Sequence, residues 1–394
     1  MRDVSGLIQD QLPDLVRLRH EIHQHPEVAF EEHGTAARVL GALEGIDGLD
    51  IRTGVAETGL VLTLNADKPG PMIALRADMD ALAIQETSGL PWASQTPGKM
   101  HACGHDGHTT CLVGAVRVLA SLRDQLPGPV RFLFQPAEEG AGGGGRMCEE
   151  GVLDGVTAIF GLHGWPDLNQ GDVGMRVGPF LAFSDRFKIL VEGQGAHAAF
   201  PHQGIDPIPV AAQIVLGLQT IASRQTDPLD AVVVTVAQIH GGTADNIIPT
   251  HVELRGTLRS LRGATRTAAM AQIEQIATGM AAASGARAHV EILEGTPVLE
   301  NDADAVAFGR HVAADAELTA VDIDPVMGGE DFAFYAQQVP AAFFALGVRP
   351  PDRADYPSLH QPDYDFPDAA IASGVSLHVQ LARQFWSDAP ALTG

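Results

Sequence analysis

The stretch Met100-His-Ala-Cys-Gly-His-Asp-Gly-His108 places one thiol and three imidazoles within nine residues, a density that core packing does not require. Thiolate and neutral imidazole are the ligands that borderline-soft divalent metals prefer. Three later segments carry side chains of the same chemistry: Gln135-Pro-Ala-Glu-Glu139, Gly161-Leu-His163-Gly-Trp-Pro166 and Leu359-His360-Gln-Pro362. Each ends or interrupts an apolar, strand-like run with a side chain able to bind metal. These residue types point to a metallohydrolase.

Cys103 and His105 sit on a turn broken by Gly104, which can aim both side chains at one point. A lone Cys or His in such a turn would more often be structural. The pair, with His101 and His108 beside it, reads as ligands. Glu138 and Glu139 could be a solvated acidic pair, yet they follow an apolar strand and Pro136. Adjacent carboxylates point in different directions, so one can bind metal while the other faces substrate and serves as a base. His163 and His360 carry little signal singly. Five such ligands together suit two metals about 3.5–4 Å apart sharing a bridge, which a thiolate or a water can supply.

The elements that must position these residues are readable from periodicity. Helices are expected over 12–23, 34–43 and 107–122, and strands over 59–64, 71–76, 129–134 and 158–162. Such alternation predicts an α/β layer with a mostly parallel sheet and helices on both faces, with ligands gathered at the carboxyl ends of strands. Glu138, Glu139 and His163 would each lie just after a strand. Residues 142–145 read as a flexible glycine turn. From about Ser184 the texture changes to strand 186–191, helix 207–223, strands 231–239 and 252–258, helix 264–284 and strand 288–293. That β-α-β-β-α-β order is the split βαβ of a ferredoxin-like α+β domain. Helix–strand alternation then resumes over 304–314, 332–338, 342–346 and 368–386. The expectation is a discontinuous catalytic domain, 1–183 and 295–394, interrupted by an inserted domain, 184–294.

Bulk composition narrows the classes. At 394 residues two domains are expected, and 45% hydrophobic with 19% charged residues reads as soluble and globular. A formal charge of −24 argues against nucleic acid as a partner. Cys103, Cys111 and Cys148 are too few for a disulfide framework, and the last two read as inert buried thiols. The N-terminal segment is charged and amphipathic, without a signal-peptide core, and no run approaches a membrane span, so no membrane partner and a cytoplasmic location are expected. Lys68, Lys99 and Lys188 are the only lysines, and none lies in a Schiff-base or phosphate-loop context.

The motif series resembles the M20 metallopeptidases, in particular the amidohydrolase branch of hippurate hydrolases, N-acyl-amino-acid deacetylases and plant auxin-conjugate hydrolases. The matching pieces are Arg19-His-Glu-Ile-His-Gln-His-Pro-Glu27, Leu75-Arg-Ala-Asp-Met-Asp-Ala-Leu82, the 100–108 stretch and Phe134-Gln-Pro-Ala-Glu-Glu-Gly140. They continue with Gly195-Ala-His-Ala-Ala-Phe-Pro-His202, Thr243-Ala-Asp-Asn-Ile-Ile-Pro249, Gly256-Thr-Leu-Arg259, Gly328-Gly-Glu-Asp-Phe332 and Leu359-His-Gln-Pro362. The resemblance implies two divalent metals per subunit (Zn, Mn, Co or Ni), bridged by Cys103. His105 and His163 would complete one site, Glu139 and His360 the other. It makes Glu138 the general base and Asp80 the orienter of a ligand. Asp78 stands where other M20 branches carry histidine and would be structural. It implies that His197 reaches a partner subunit's active site to steady the oxyanion, and that Asn246 and Arg259 bind substrate. Ala199-Phe200 departs from many relatives and would reshape the acyl pocket. His20, His23, His25, His101 and His108 receive no catalytic role. The implied substrate is an N-acyl or N-aroyl amino acid and the implied assembly a homodimer or homotetramer. Two rivals use the same residues: a metal-free cysteine hydrolase built on Cys103 and His105, and a non-enzymatic metal-binding protein.

Overall fold

A computed structural model describes residues 4–389 and Leu392. The chain divides into two compact units, one formed by Met1–Gly178, Glu300–Asp324 and Asp331–Gly394, the other by Pro179–Leu299 and Pro325–Glu330.

The first unit is built on an eight-stranded sheet. In order across it lie Leu49–Val55, Gly59–Leu64, Val130–Gln135, Met72–Asp78, Val156–Asn169, Ala341–Arg349, Asp172–Met175 and Thr319–Asp322. The central pairings are parallel, and antiparallel pairs extend the sheet to one side and intervene once on the other. Strands covered on both faces read as continuous apolar runs, as in Ala341–Arg349. Its even-numbered residues Ala342, Phe344, Leu346 and Val348 join the core shared with the helices Val4–Gln24, His105–Ser121 and Asp368–Asp388. Phe343 points to the opposite face and packs on Phe332 with ring centroids 4.9 Å apart.

Several elements differ from expectation. The first helix begins at Val4 and runs through Pro13, because Val4, Ile8, Leu15, Leu18 and Ile22 form one buried stripe whose packing outweighs the lost backbone bond. The strand expected at 158–162 is the middle of Val156–Asn169. His163 therefore lies within a strand and not after one. Pairing with the neighbouring parallel strand stops at Arg76–Gly161, so His163 still stands at that neighbour's carboxyl end. The glycines expected to form a flexible turn open the helix Gly143–Glu149. A Cβ on Gly143 would lie 1.7 Å from the Pro136 carbonyl, and one on Gly144 2.8 Å from the Asp331 carbonyl, so glycine is needed there for close approach. Cys111 is buried as expected, whereas Cys148 is only partly covered.

The second unit carries the antiparallel sheet Val232–Gly241, His251–Ser260, Phe183–Glu192, Arg287–Thr296 in that spatial order. Phe187, Ile189 and Val191 alternate inward against Ile214, Leu218 and Ile273 of the helices Pro207–Thr220 and Gly263–Ala283. The first of these helices has Pro207 in its first turn and Asp206 as its cap, accepting the Ile208 N–H at 3.0 Å. The order matches the ferredoxin-like arrangement. Segment 325–330 joins this unit through backbone bonds from Val326 to Phe180 and from Ala182 to Gly328 (2.9 and 2.8 Å), a pairing with no local sequence signal.

Candidate metal centre

The site is assembled at the carboxyl ends of adjacent parallel strands. Asp78 and Gln135 are paired at the ends of Met72–Asp78 and Val130–Gln135. Two residues further on, Asp80 lies beneath the turn that follows Gln135. Ala137 takes a left-handed φ of 56°, and the next two backbone N–H groups are donated to one carboxylate: Glu138 to Asp80 Oδ1 and Glu139 to Asp80 Oδ2, both at 3.0 Å. Gly104, at a φ of 86°, turns the chain between Cys103 and His105, the first residue of the helix His105–Ser121. His360 sits on the far loop at a φ of 64°, its backbone N–H bonded to the Ala102 carbonyl at 2.8 Å.

These placements bring together every residue expected to bind metal. One set of ligand atoms, from Cys103, His105 and His163, lies within 4.8 Å of one another, and so does a second set from Cys103, Glu139 and His360. Cys103 belongs to both. His105, Glu138 and Glu139 form a third such group. Cys103 Sγ is 3.3 Å from His163 Nε2, and His360 Nε2 is 3.3 Å from Glu139 Oε1. The ring tautomers follow from their partners. His163 Nδ1 donates to the Gly164 carbonyl at 2.8 Å and His105 Nδ1 to Asp80 at 3.3 Å, so Nε2 is the nitrogen each would offer to a metal, His105 giving up its Nε2 proton on binding.

Electrostatics favour a cation here. Burial lowers the His105 pKa, but Asp78, Asp80 and Glu139 together raise it to about 10. Burial, then Glu139, Glu138 and Asp78, push the Cys103 thiol well above its ordinary value. Burial pulls His163 well below its own. His105 Nε2 is buried without a hydrogen bond among the described residues, and Glu139 Oε1 meets only the His360 ring there. One thiol, three imidazoles and a carboxylate, with an orphaned ring nitrogen facing a carboxylate-rich field, fit a pair of divalent ions of the Zn–Mn series.

A second layer lies underneath, and residue type alone did not reveal it. Arg76, wholly buried, donates to Asp78 at 2.7 Å, Gln135 at 2.8 Å and Asp331 at 3.1 Å. His108 donates from Nδ1 to Asp78 at 2.7 Å and accepts the Gly164 N–H at Nε2 at 2.8 Å, which fixes the backbone beside His163. Asp331 takes the Gly144 N–H at 2.8 Å, and burial raises its pKa to about 6. Arg76, His108 and Asp331 all fall inside the motifs quoted above, which was the available signal.

His197, Asn246 and Arg259 belong to the second unit. His197 and Ile247 pair in a two-stranded ribbon, and both His197 and Asn246 line a cavity of about 980 Å³ with Thr243, His240 and His251. His197 Nδ1 accepts the Ala199 N–H at 3.1 Å, leaving its proton on Nε2. Arg259 is half-buried and has no hydrogen-bond or ion-pair partner among the described residues; burial, then Arg186, lower its pKa. Phe200 is exposed beside His197, ring centroids 5.5 Å apart.

Among the described residues no helix is long and apolar enough to cross a membrane. The sequence model of Peptidase family M20/M25/M40 matches residues 74–384. An N-acetyl-L-cysteine deacetylase of Bacillus subtilis is 41% identical over 91% of this chain and 84% of its own length. An IAA-amino acid hydrolase (ILR1-like 4) of Arabidopsis thaliana is 40% identical over 96% of this chain and 87% of its own. A Bacillus subtilis crystal structure described as a dinuclear metal-binding peptidase from the M20 family superposes with a TM-score of 0.85 at 35% identity, covering 96% of this chain and 99% of that one.

Proposed function

Because the chain belongs to Peptidase family M20/M25/M40 and is a hydrolase of that family's metal-dependent amidohydrolase type, we propose that it cleaves the amide bond of N-acyl amino acids. The observation that carries the reading is the membership of Cys103 in both ligand sets. Cys103 would lie between two ions, with His105 and His163 holding one and Glu139 and His360 the other. When bound, the ions supply Lewis acidity that polarises the scissile carbonyl and eases deprotonation of water.

The protein's own groups do the rest. Glu138 accepts a proton from the attacking water and returns it to the nitrogen as the C–N bond breaks, releasing a carboxylate and a free amino acid. Asp80 holds the Glu138–Glu139 backbone and the His105 ring. His197, with its proton on Nε2, donates to the developing oxyanion, in its own or a partner subunit's site. A donor of this type is worth about 3–4 kcal/mol. Arg259, unpaired and half-buried, can fork onto the substrate carboxylate, with Asn246 as a second polar contact. Deacetylation of N-acetylcysteine and hydrolysis of IAA–amino acid conjugates, named for the relatives, share this substrate pattern.

The raised pKa of Cys103 opposes a thiolate nucleophile and so a metal-free cysteine hydrolase. The thiolate donor disfavours Mg and Ca and leaves Zn, Mn, Co or Ni. A homodimer through the second unit is supported by the open edge of Val232–Gly241 and by Leu216, Leu229 and Ile239, which are 71%, 94% and 59% exposed. Cysteines without disulfides agree with a reducing cytoplasm. The test is a screen of N-acetyl, N-benzoyl and longer N-acyl amino acids with metal content measured on the same sample. Turnover abolished by chelation and restored by Mn²⁺ or Zn²⁺ supports the proposal. Undiminished turnover in metal-free protein overturns it.

A further inference from the structure

The motif Arg19-His-Glu-Ile-His-Gln-His-Pro-Glu27 has no part in the chemistry above, yet it supplies a guanidinium near the site that, like that of Arg76, is wholly buried. Arg19 has no exposed surface. Its Nη1 donates to Asp365 Oδ1 at 2.5 Å and to the Phe366 carbonyl at 2.7 Å. Asp368 Oδ1 lies 3.1 Å from its Nε, Asp106 Oδ2 3.5 Å from Nη1, and the Trp92 ring 5.1 Å from the guanidinium. Asp365 is gripped from other directions too: its Oδ1 accepts the Trp92 indole N–H at 3.1 Å and its carbonyl the Tyr356 hydroxyl at 2.5 Å. Arg19 therefore joins the first helix to the end of the loop that carries His360 and to Asp106, the residue after His105.

His360 is poorly placed to hold itself. Its side chain is 53% exposed, whereas Cys103, His105 and His163 are buried. Its backbone is in the left-handed region, which disfavours an ordinary L-residue unless the surroundings over-determine it. Among the described residues its one side-chain hydrogen-bond or ion-pair partner is Glu139. Beside the packing of Leu359 and Tyr364 on Met100 and Ala102, three polar supports tie the loop to other segments: His360 N–H to Ala102, Thr87 N–H to the Pro362 carbonyl at 2.7 Å, and the Arg19–Asp365–Phe366 anchor, which Trp92 also joins. Only the last contains a charge buried away from water. Breaking one member leaves the others uncompensated, so this anchor is the stiffest of the three.

We propose that Arg19 is a positioning residue for His360, acting through Asp365 and Phe366. It sets the geometry of the Cys103–Glu139–His360 triad, while the Cys103–His105–His163 triad keeps its own support because Asp106, beside His105, retains the closer His23 Nδ1 at 2.9 Å. The inference rests on the reading of His360 as a metal ligand. Ordering of a ligand loop shows in affinity: remote partners of metal ligands typically change it about 10–100-fold.

The test compares stepwise Zn²⁺ and Mn²⁺ affinities of the metal-stripped full chain, by chelator competition and metal analysis, in wild type, His360→Ala, Arg19→Lys and Trp92→Phe. A general loss of stability weakens both ions alike; a positioning defect is selective. The expected result is that His360→Ala loses the second ion and Arg19→Lys weakens that same ion by about 10-fold or more, with the first ion unchanged. Trp92→Phe, which removes the indole N–H bond to Asp365 and keeps an aromatic, though smaller, ring beside Arg19, gives a smaller loss of the same selectivity and serves if Arg19→Lys does not fold. Equal weakening of both ions, or of neither, in the folded Arg19 or Trp92 variants overturns the proposal. Retention of both ions at wild-type affinity in His360→Ala overturns instead the ligand reading beneath it.

Discussion

Asp80 is the residue at which a small change has the most calculable consequence. One buried carboxylate accepts the Glu138 and Glu139 N–H groups at 3.0 Å each and the His105 Nδ1–H at 3.3 Å. Asp80→Ala leaves two backbone donors without their acceptor at about 1–3 kcal/mol each. The two backbone donors bring the loss of apo stability to roughly 2–6 kcal/mol, and the His105 ring, which keeps Asp78 at 3.7 Å, is loosened as well. Asp80→Asn keeps one acceptor oxygen but turns an amide donor toward one of the three donors, and falls in the lower part of that range. Metal affinity suffers through a different route, because Glu139 and His105 both lose the partner that aims them; about 10–100-fold is expected. Urea unfolding of the metal-stripped variants gives the first quantity, and chelator competition on the folded variants the second. Asp80→Asn with apo stability within about 0.5 kcal/mol of wild type and unaltered metal affinity would refute the reasoning.

Two other perturbations follow from local geometry. Gly143→Ala places a Cβ against the Pro136 carbonyl, a backbone atom that cannot yield cheaply; a loss of about 1–3 kcal/mol and a lower kcat are expected, and wild-type values of both would show that the Pro136–Glu139 turn does not depend on this contact. His378 is buried with neither ring nitrogen bonded among the described residues, and burial, then His108, lower its pKa to about 3. Its unfolded value is near 6.5, so the unfolded chain binds the extra proton below that pH and stability falls as pH drops from 6.5 toward 3. At pH 5 the loss through this one group is roughly 2 kcal/mol. His378→Leu should flatten the dependence of unfolding free energy on pH between 7 and 5, and an unchanged slope counts against the assignment.

What was legible in the chain tracks how local the cause is. Glu138 and Glu139 could be placed because an apolar strand and a proline immediately precede them. Cys103 and His105 were legible because two glycines break the turn around them. His163 was misplaced relative to its strand because the strand's end is set by where its neighbour stops pairing, a non-local quantity. The 143–144 glycines looked like flexibility, since the carbonyls of Pro136 and Asp331 that crowd them come from elsewhere in the fold. Arg19, Arg76 and Asp331 lay in plain view within motifs, but apart from the Arg76–Asp78 pair their partners are tens to hundreds of residues away, and no periodicity encodes such pairings. His360 needed the most context, being one histidine in a loop tied to the site from the distant segments of Arg19, Thr87 and Ala102.

In the proposed mechanism Glu138 moves the proton while other residues hold the metal. Glu138→Gln separates the two functions, since it preserves shape and removes only the basic oxygen. Two ions per chain, unchanged thermal stability and a kcat reduced about 10²–10⁴-fold on the best N-acyl amino acid from the screen are expected. Two bound ions with kcat close to wild type would contradict that mechanism.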